Sequence, residues 1–416
     1  MALQRLAPEG TTSVAVKAMD LIVVTVCTLA FALNVGAILT TLLTARFAGQ
    51  RDFITYWCSA VQLVHHGNPY GAGSIWQLER AAGFSLASQP LIMRNAPYAL
   101  LAVYPLGFFT LRIASLIWTA AMIFSAWAAV RGIAQVYGGI GHRANLLVIA
   151  FAPLLSCLIS GQSALFPLLG VILFLRFVNT RRWLAGASLW LCALKPQDFV
   201  PFGVVLLSWS LWRRNWQLLL GVTLSFSISI GVVWLLDPSA WREYFAMMSA
   251  ANVLDQFVPC LSTLLRVAIR PQAAWLQWVP MVAGCIWGLW YLRRSSDWDW
   301  VTRTPLLILI SVWTAPYSWY MDQAILLVAL LPVLYRPVAR PLVWCFVLLS
   351  AVVEWANLFG VPLGNKALYP LTATAWLGWY LWATWNPPST PRTEGSSPVL
   401  SRVTAVLPSS ETTVIY

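Results

Sequence analysis

Four short polar motifs interrupt an otherwise apolar chain, and each carries a side chain suited to group transfer. RDFITYW places Asp52 just past the apolar run from Leu21 to Leu43; ISGQSALF carries Gln162; ALKPQDF carries Lys195, Gln197 and Asp198 around Pro196; and APYSWYMDQ carries Tyr317, Trp319 and Asp322. A carboxylate such as Asp52 can take the proton from an attacking hydroxyl. Cations and amide donors, here Lys195 and Gln162 with Arg51 and Arg94, can hold a leaving phosphate as its charge grows; Arg266 and Arg270 are further cations. Tyr56, Trp57, Asn68, Tyr70, Gln197, Asp198, Tyr317, Trp319 and Asp322 could bind a polyhydroxylated substrate through hydrogen bonds and aromatic faces. Trp76 and Trp241 also flank these motifs, whereas most of the 25 tryptophans read as interfacial belts.

The elements that must position these residues are membrane helices. Of 416 residues, 59% are hydrophobic and 10% charged, far below the roughly 25% charged usage of soluble domains. A net charge of +12 would suit nucleic acid, but Lys and Arg cluster in short connections between apolar runs, as topology signals do; nucleic acid is not an expected partner. The seven cysteines show no CxxC spacing, so neither a zinc site nor a redox motif is indicated. Cys58 and Cys260 are the pair an oxidising outer compartment could join. His65 and His66 precede Gly67, Asn68 and Pro69 in a turn without a third ligand at metal spacing. No metal and no cofactor are expected.

Apolar runs long enough to approach a ~30 Å hydrocarbon core fall at 20–44, 111–131, 144–160, 162–178, 183–195, 198–212, 216–236, 276–292, 304–316, 320–335, 340–357 and 368–385. The first is too long for a signal h-region and reads as a span. Arg131 with Arg143, Arg176 with Arg181 and Arg182, Arg213 with Arg214, Arg293 with Arg294, and Arg336 with Arg340 occupy alternate connections. Since basic loops favour the cytoplasm, these connections and both termini are placed inside, which requires an even number of spans; twelve fits. Asn95 to Thr110 is apolar, but letting it span would reverse every later basic cluster, so it is read as a juxtamembrane helix on the outer surface. Residues 1–385 form one membrane domain with a first outer loop over 45–110. Residues 386–416, rich in Pro, Ser and Thr, read as a disordered cytoplasmic tail.

Topology drawn from charge alone leaves all four motifs on the outer side, along with the long stretch from Asp237 to Gln277 and a last connection bearing Glu354, Asn357, Asn365 and Lys366. Ionisable residues in such settings usually line a wet cavity. Nucleotide sugars are cytoplasmic, so a sugar used on the outer side would arrive on a lipid carrier such as a polyprenyl phosphate. The expected partners are that donor, a lipid or glycan acceptor, and the bacterial inner membrane. A transporter or lipid-linked-sugar flippase would also place polar residues in a bundle, but commonly shows internal repeats and broken helices at the midplane; no half-to-half similarity is visible. A noncatalytic envelope scaffold is the third reading.

At these residues the sequence resembles glycosyltransferase family 87, also called DUF2029, within the GT-C superfamily. The resemblance is carried in order by RDFITYW and HHGNPY, NAPYALLAVYPLGFFT before LRIASLIW, SGQSALFPLLG, RRWLAGASLWLCALKPQDFVPFGVVLL and APYSWYMDQAILL, from about residue 50 to 335. It implies an all-α GT-C-type bundle with juxtamembrane helices in the first outer loop. It also implies inverting transfer of a hexose, often mannose, from a polyprenyl-phosphate sugar, with the acid after the first span, by position Asp52, as general base. Some members carry histidines after the SW pair of the late motif; here Met321 and Asp322 follow Ser318, Trp319 and Tyr320, so that contribution does not carry over.

Overall fold

The structure is a computed structural model that describes residues 9–43, 52–84, 89–251, 257–295, 297–336, 340–358 and 368–385. Arg51, Asn365, Lys366 and the tail 386–416 lie outside the described residues. All regular structure among those described is helical, in chain order α1 (Glu9–Leu43), α2 (Phe53–Val64), α3 (Ala72–Ala81), α4 (Leu100–Val103), α5 (Leu111–Tyr137), α6 (Ala152–Ser160), α7 (Leu165–Phe177), α8 (Arg182–Ser188), α9 (Val200–Trp212), α10 (Trp216–Leu236), α11 (Ala240–Ala250), α12 (Leu261–Ile269), α13 (Val279–Arg294), α14 (Trp300–Trp313), α15 (Leu327–Leu334), α16 (Arg340–Leu358) and α17 (Leu368–Trp385), joined in places by 3-10 turns.

Each of the twelve apolar runs contains helix, but their lengths differ widely. Among the described residues, three helical stretches are long and apolar enough to cross a membrane, Lys17–Ala37, Leu111–Tyr137 and Trp216–Leu236; a fourth is added if Arg143–Ala150 and Ala152–Ser160, bent by 52°, count as one crossing. These three carry outward apolar side chains, among them Val24 and Leu29 on α1, Phe124 and Trp127 on α5, and Ile228 and Trp234 on α10. Apolar surface of that extent has lipid as its natural solvent, so the chain is a membrane protein. The remaining helices are shorter: α7 has 13 residues and α9 has 13, about 20 Å each at ~1.5 Å per residue. Several pack on neighbours, α7 on α5, α8 on α10 and α9 on α13, and α7 and α15 are buried along most of their lengths.

Two glycines set the α8–α10 crossing. A Cβ on Gly221 would collide with the Trp183 carbonyl, and one on Gly186 with the Leu218 carbonyl, so the two backbones touch only because neither residue has a side chain. Small residues at such crossings are how membrane helices gain packing without a hydrophobic drive. Gly221→Val is expected to lower the thermal unfolding midpoint in detergent, at a cost of about 1–3 kcal/mol or more from forced separation; unfolding at the wild-type temperature would mean the close approach is dispensable.

The first outer loop is built on α2, which buries Phe53, Ile54, Tyr56, Ser59, Ala60 and Leu63. The 97–108 segment folds as three short helical pieces packed against α2, where Gly107 allows contact with the Ala60 carbonyl. The sequence offered no helices in the stretch from Asp237 to Gln277, which contains α11 and α12. Cys58 and Cys260 are both free thiols.

Candidate active site

The four motifs meet where helices end. α6 stops at Gly161, whose φ of +76° is a left-handed conformation that glycine adopts without steric cost. The chain then turns through Gln162 and Ser163 into α7. Nothing in the sequence marks Trp118 of α5 as part of this corner, yet its indole N–H donates to the Gly161 carbonyl at 2.8 Å, and its ring packs on Phe53, Tyr56 and Phe166. A tryptophan inside an apolar run carries no signal of its own.

Asp52 is fixed at the same corner. Its backbone N–H donates to the Ser160 carbonyl at 2.9 Å, and its own carbonyl accepts from the Thr55 hydroxyl at 2.8 Å. One turn along α2, the Tyr56 hydroxyl donates to Gln162 Oε1 at 2.9 Å. Ser160 in turn donates to the Met321 sulfur at 3.2 Å, joining α6 to the late motif.

The lysine comes from the break between α8 and α9. Pro196 has no N–H to continue a helix, and the chain passes through short 3-10 turns on either side of Lys195. Its ammonium lies 3.2 Å from Asp322 Oδ1, with the two side chains 7% and 0% exposed. Asp322 is held from the other side, where Oδ2 accepts the Trp319 backbone N–H at 2.9 Å. Trp319 also donates its indole N–H to the Tyr317 hydroxyl at 3.1 Å.

Electrostatic reach ties the pieces into one group. Lys195, Asp52 and Asp322 all lie close enough to act on the Tyr56 hydroxyl, and Asp322, Tyr56, Asp198 and Tyr317 close enough to act on Lys195. Asp198 is fully buried, and neither of its carboxylate oxygens has a hydrogen-bond partner; the Ser318 hydroxyl beside it makes no bond of good geometry. Two buried carboxylates thus flank one buried ammonium, an arrangement that would be costly without further polar partners and that leaves acceptor capacity for a bound substrate's hydroxyls.

The other expected site residues sit further out. Gln197 is half-buried in the turn between Lys195 and Asp198. Arg94 is exposed, but the next residue, Asn95, donates to the Leu194 carbonyl at 2.5 Å, which carries Arg94 past the lysine turn. Asn68 and Tyr70 serve the loop itself: Asn68 Oδ1 accepts the Tyr70 N–H at 2.8 Å, and the Tyr70 hydroxyl donates to the Asn95 carbonyl at 2.9 Å. Trp57 donates its indole N–H to the Phe109 carbonyl at 3.0 Å. These three reach the lysine group only through the loop they brace. Glu79, unmarked in the sequence, braces it too: its Oε1 accepts the Leu91 N–H at 2.9 Å, and burial pushes its carboxyl up from the ordinary range against that bond. Arg266 is buried and donates to the Pro271 carbonyl at 2.6 Å. Glu354 of α16 accepts from Asn34 of α1 at 2.6 Å. Among the described residues, no group of three or more His, Cys, Asp or Glu is placed to hold a metal ion.

What this corner offers is a half-buried carboxylate, a buried ammonium and several amide or hydroxyl groups, parts that can take a proton and hold an anion. No curated protein and no solved structure matches the chain. The family model of glycosyltransferase family 87 matches residues 95–359, a range that begins after Asp52 and takes in Gln162, Lys195, Asp198 and Asp322. The chain therefore belongs to glycosyltransferase family 87.

Proposed function

We propose that this glycosyltransferase moves a hexosyl unit, mannosyl in the first instance, from a polyprenyl-phosphate sugar to a lipid or glycan acceptor, with inversion, at the outer face of a bacterial inner membrane. The observation that carries the reading is the meeting of Asp52, Tyr56, Gln162 and the Lys195–Asp322 pair at one end of the bundle. The acceptor oxygen attacks the anomeric carbon from the face opposite the phosphate while its proton passes to Asp52. The bond from that carbon to the phosphate oxygen breaks, and the departing phosphate takes the charge of Lys195, with Gln162, Arg94 and Arg51 as further donors. Attack opposite to departure inverts the anomeric centre. Asp198, Gln197, Tyr317, Trp319 and Asp322 hold the sugar, and lipid-facing helices accept the prenyl tail.

The same reading takes the twelve apolar runs as a GT-C-type bundle with several crossings shorter than the bilayer, which local thinning and burial accommodate. It places the basic connections in the cytoplasm by the positive-inside rule and the 97–108 pieces on the outer surface. Purified protein incubated with a panel of radiolabelled polyprenyl-phosphate sugars and host membrane lipids is expected to label a lipid or glycan product from one of them, with the anomeric configuration inverted. Transfer from a nucleotide sugar instead, or retention of configuration, would overturn it.

A further inference from the structure

A polar pocket lies at the opposite ends of helices that build the candidate active site. α8 begins at Arg182 and leads to Lys195, α9 runs from the Asp198 turn to Arg213, and α14 runs from Trp300 toward Tyr317. Where these helices have their other ends, Arg182, Trp209, Arg213, Asn215, Asp297, Trp298 and Asp299 line a cavity of about 400 Å³. We infer that this pocket binds the zwitterionic phosphoamine headgroup of a membrane phospholipid.

The lining carries both signs of charge and both kinds of unmet hydrogen bond. Arg182 and Arg213 offer planar cationic donors of the sort that grip phosphate. The Trp298 indole N–H is buried without an acceptor, so a phosphate oxygen entering the pocket would relieve it. On the accepting side, Asn215 is only 4% exposed, and its side-chain oxygen has no donor. Asp299 caps α14, its two oxygens accepting the Val301 and Thr302 N–H groups at 3.3 and 3.0 Å. Asp297 remains as the exposed carboxylate. A purely anionic guest would be drawn by the arginines' charge but would confront Asp297; one bearing a phosphate and, a short link away, an ammonium meets both halves. The aromatic wall suits the ammonium as well, and it is rigid: Trp209 and Trp298 both stand edge-on to buried Trp300 at 5.3 Å.

Depth favours a lipid over a free metabolite. Trp183, Trp212, Trp216 and Trp290 are exposed at this same end, interleaved with Arg181, Arg214, Arg293 and Arg294. Exposed tryptophans beside basic residues mark the headgroup layer, so the pocket sits where a phospholipid headgroup already is. The inference is independent of the chemistry proposed for the other end.

The test is native mass spectrometry of the full chain released from membranes containing equal amounts of phosphatidylethanolamine, phosphatidylglycerol and phosphatidylcholine. The wild type is expected to retain phosphatidylethanolamine over phosphatidylglycerol by about tenfold, the equivalent of ~1.4 kcal/mol. Arg182→Gln with Arg213→Gln should abolish that retention, and Asp297→Asn should narrow the preference by admitting phosphatidylglycerol. Both arginines are exposed, so folding should survive; Trp298→Phe, which removes the indole N–H while keeping an aromatic ring, is the second variant and should weaken retention several-fold. Equal retention of the two lipids by the wild type, or undiminished phosphatidylethanolamine on the double variant, would overturn the proposal. So would soluble O-phosphoethanolamine displacing the lipid at equal concentration, which would assign the pocket to a metabolite.

Discussion

Asp52→Asn is expected to lower hexosyl transfer by about 10²–10⁴-fold, the range that a positioned general base contributes, while membrane insertion and donor binding stay close to wild type. The expectation of intact folding follows from how the residue is held. Its N–H bonds the Ser160 carbonyl and its carbonyl accepts from Thr55, contacts that asparagine keeps because they belong to the backbone. The amide has almost the same shape as the carboxylate but cannot take the acceptor's proton. The measurement is product formation under saturating donor and acceptor, with donor affinity determined separately. Wild-type turnover by the variant would remove Asp52 from the mechanism and turn attention to Asp198 and Asp322, the other carboxylates of the group.

Lys195→Ala should do two things at once, and they can be separated. Removing the ammonium leaves Asp322 buried without the partner it meets at 3.2 Å, and breaking a buried ion pair from one side costs about 3–5 kcal/mol; the thermal midpoint should fall markedly. The double variant Lys195→Gln with Asp322→Asn replaces the ion pair by neutral amides able to bond each other, so most of that stability should return. Donor binding should stay weakened, because the buried ammonium is gone and only Arg94 and Arg51 remain to meet the phosphate. Purified double variant that folds as wild type yet binds the polyprenyl-phosphate donor with undiminished affinity would refute the phosphate role. If both variants unfold equally, the pair was not what destabilised the first.

Charge and polarity in the loops made much of this legible beforehand, for a definite reason. In an apolar chain a motif such as KPQD or SGQS is conspicuous because its polarity has a cost in lipid, so Gln162, Lys195, Asp198 and Asp322 could be read off a single sequence. What could not be read is who faces whom. Lys195 and Asp322 are far apart in the chain, and their pairing depends on the 192–194 and 320–326 turns both packing against α7. Trp118 looks like any residue of an apolar helix until Gly161 is placed beneath it. In the first outer loop one set of side chains has two uses: Asn68, Tyr70 and Trp57 carry the groups a sugar would want, and those groups also make the hydrogen bonds that brace the loop. Length was hard for a related reason, since a buried helix tolerates being short while hydropathy registers only that it is apolar.

The bond from Trp118 to the Gly161 carbonyl also fixes where the Gly161–Gln162 corner lies along α5. Trp118 is about two turns into α5, which begins at Leu111, so the corner bearing Gln162 is sunk roughly 10 Å below that helix's end at ~1.5 Å per residue. On the function proposed above, the donor's phosphate reaches that corner from the headgroup layer, and the sugar enters sideways with its prenyl tail still dissolved in hydrocarbon.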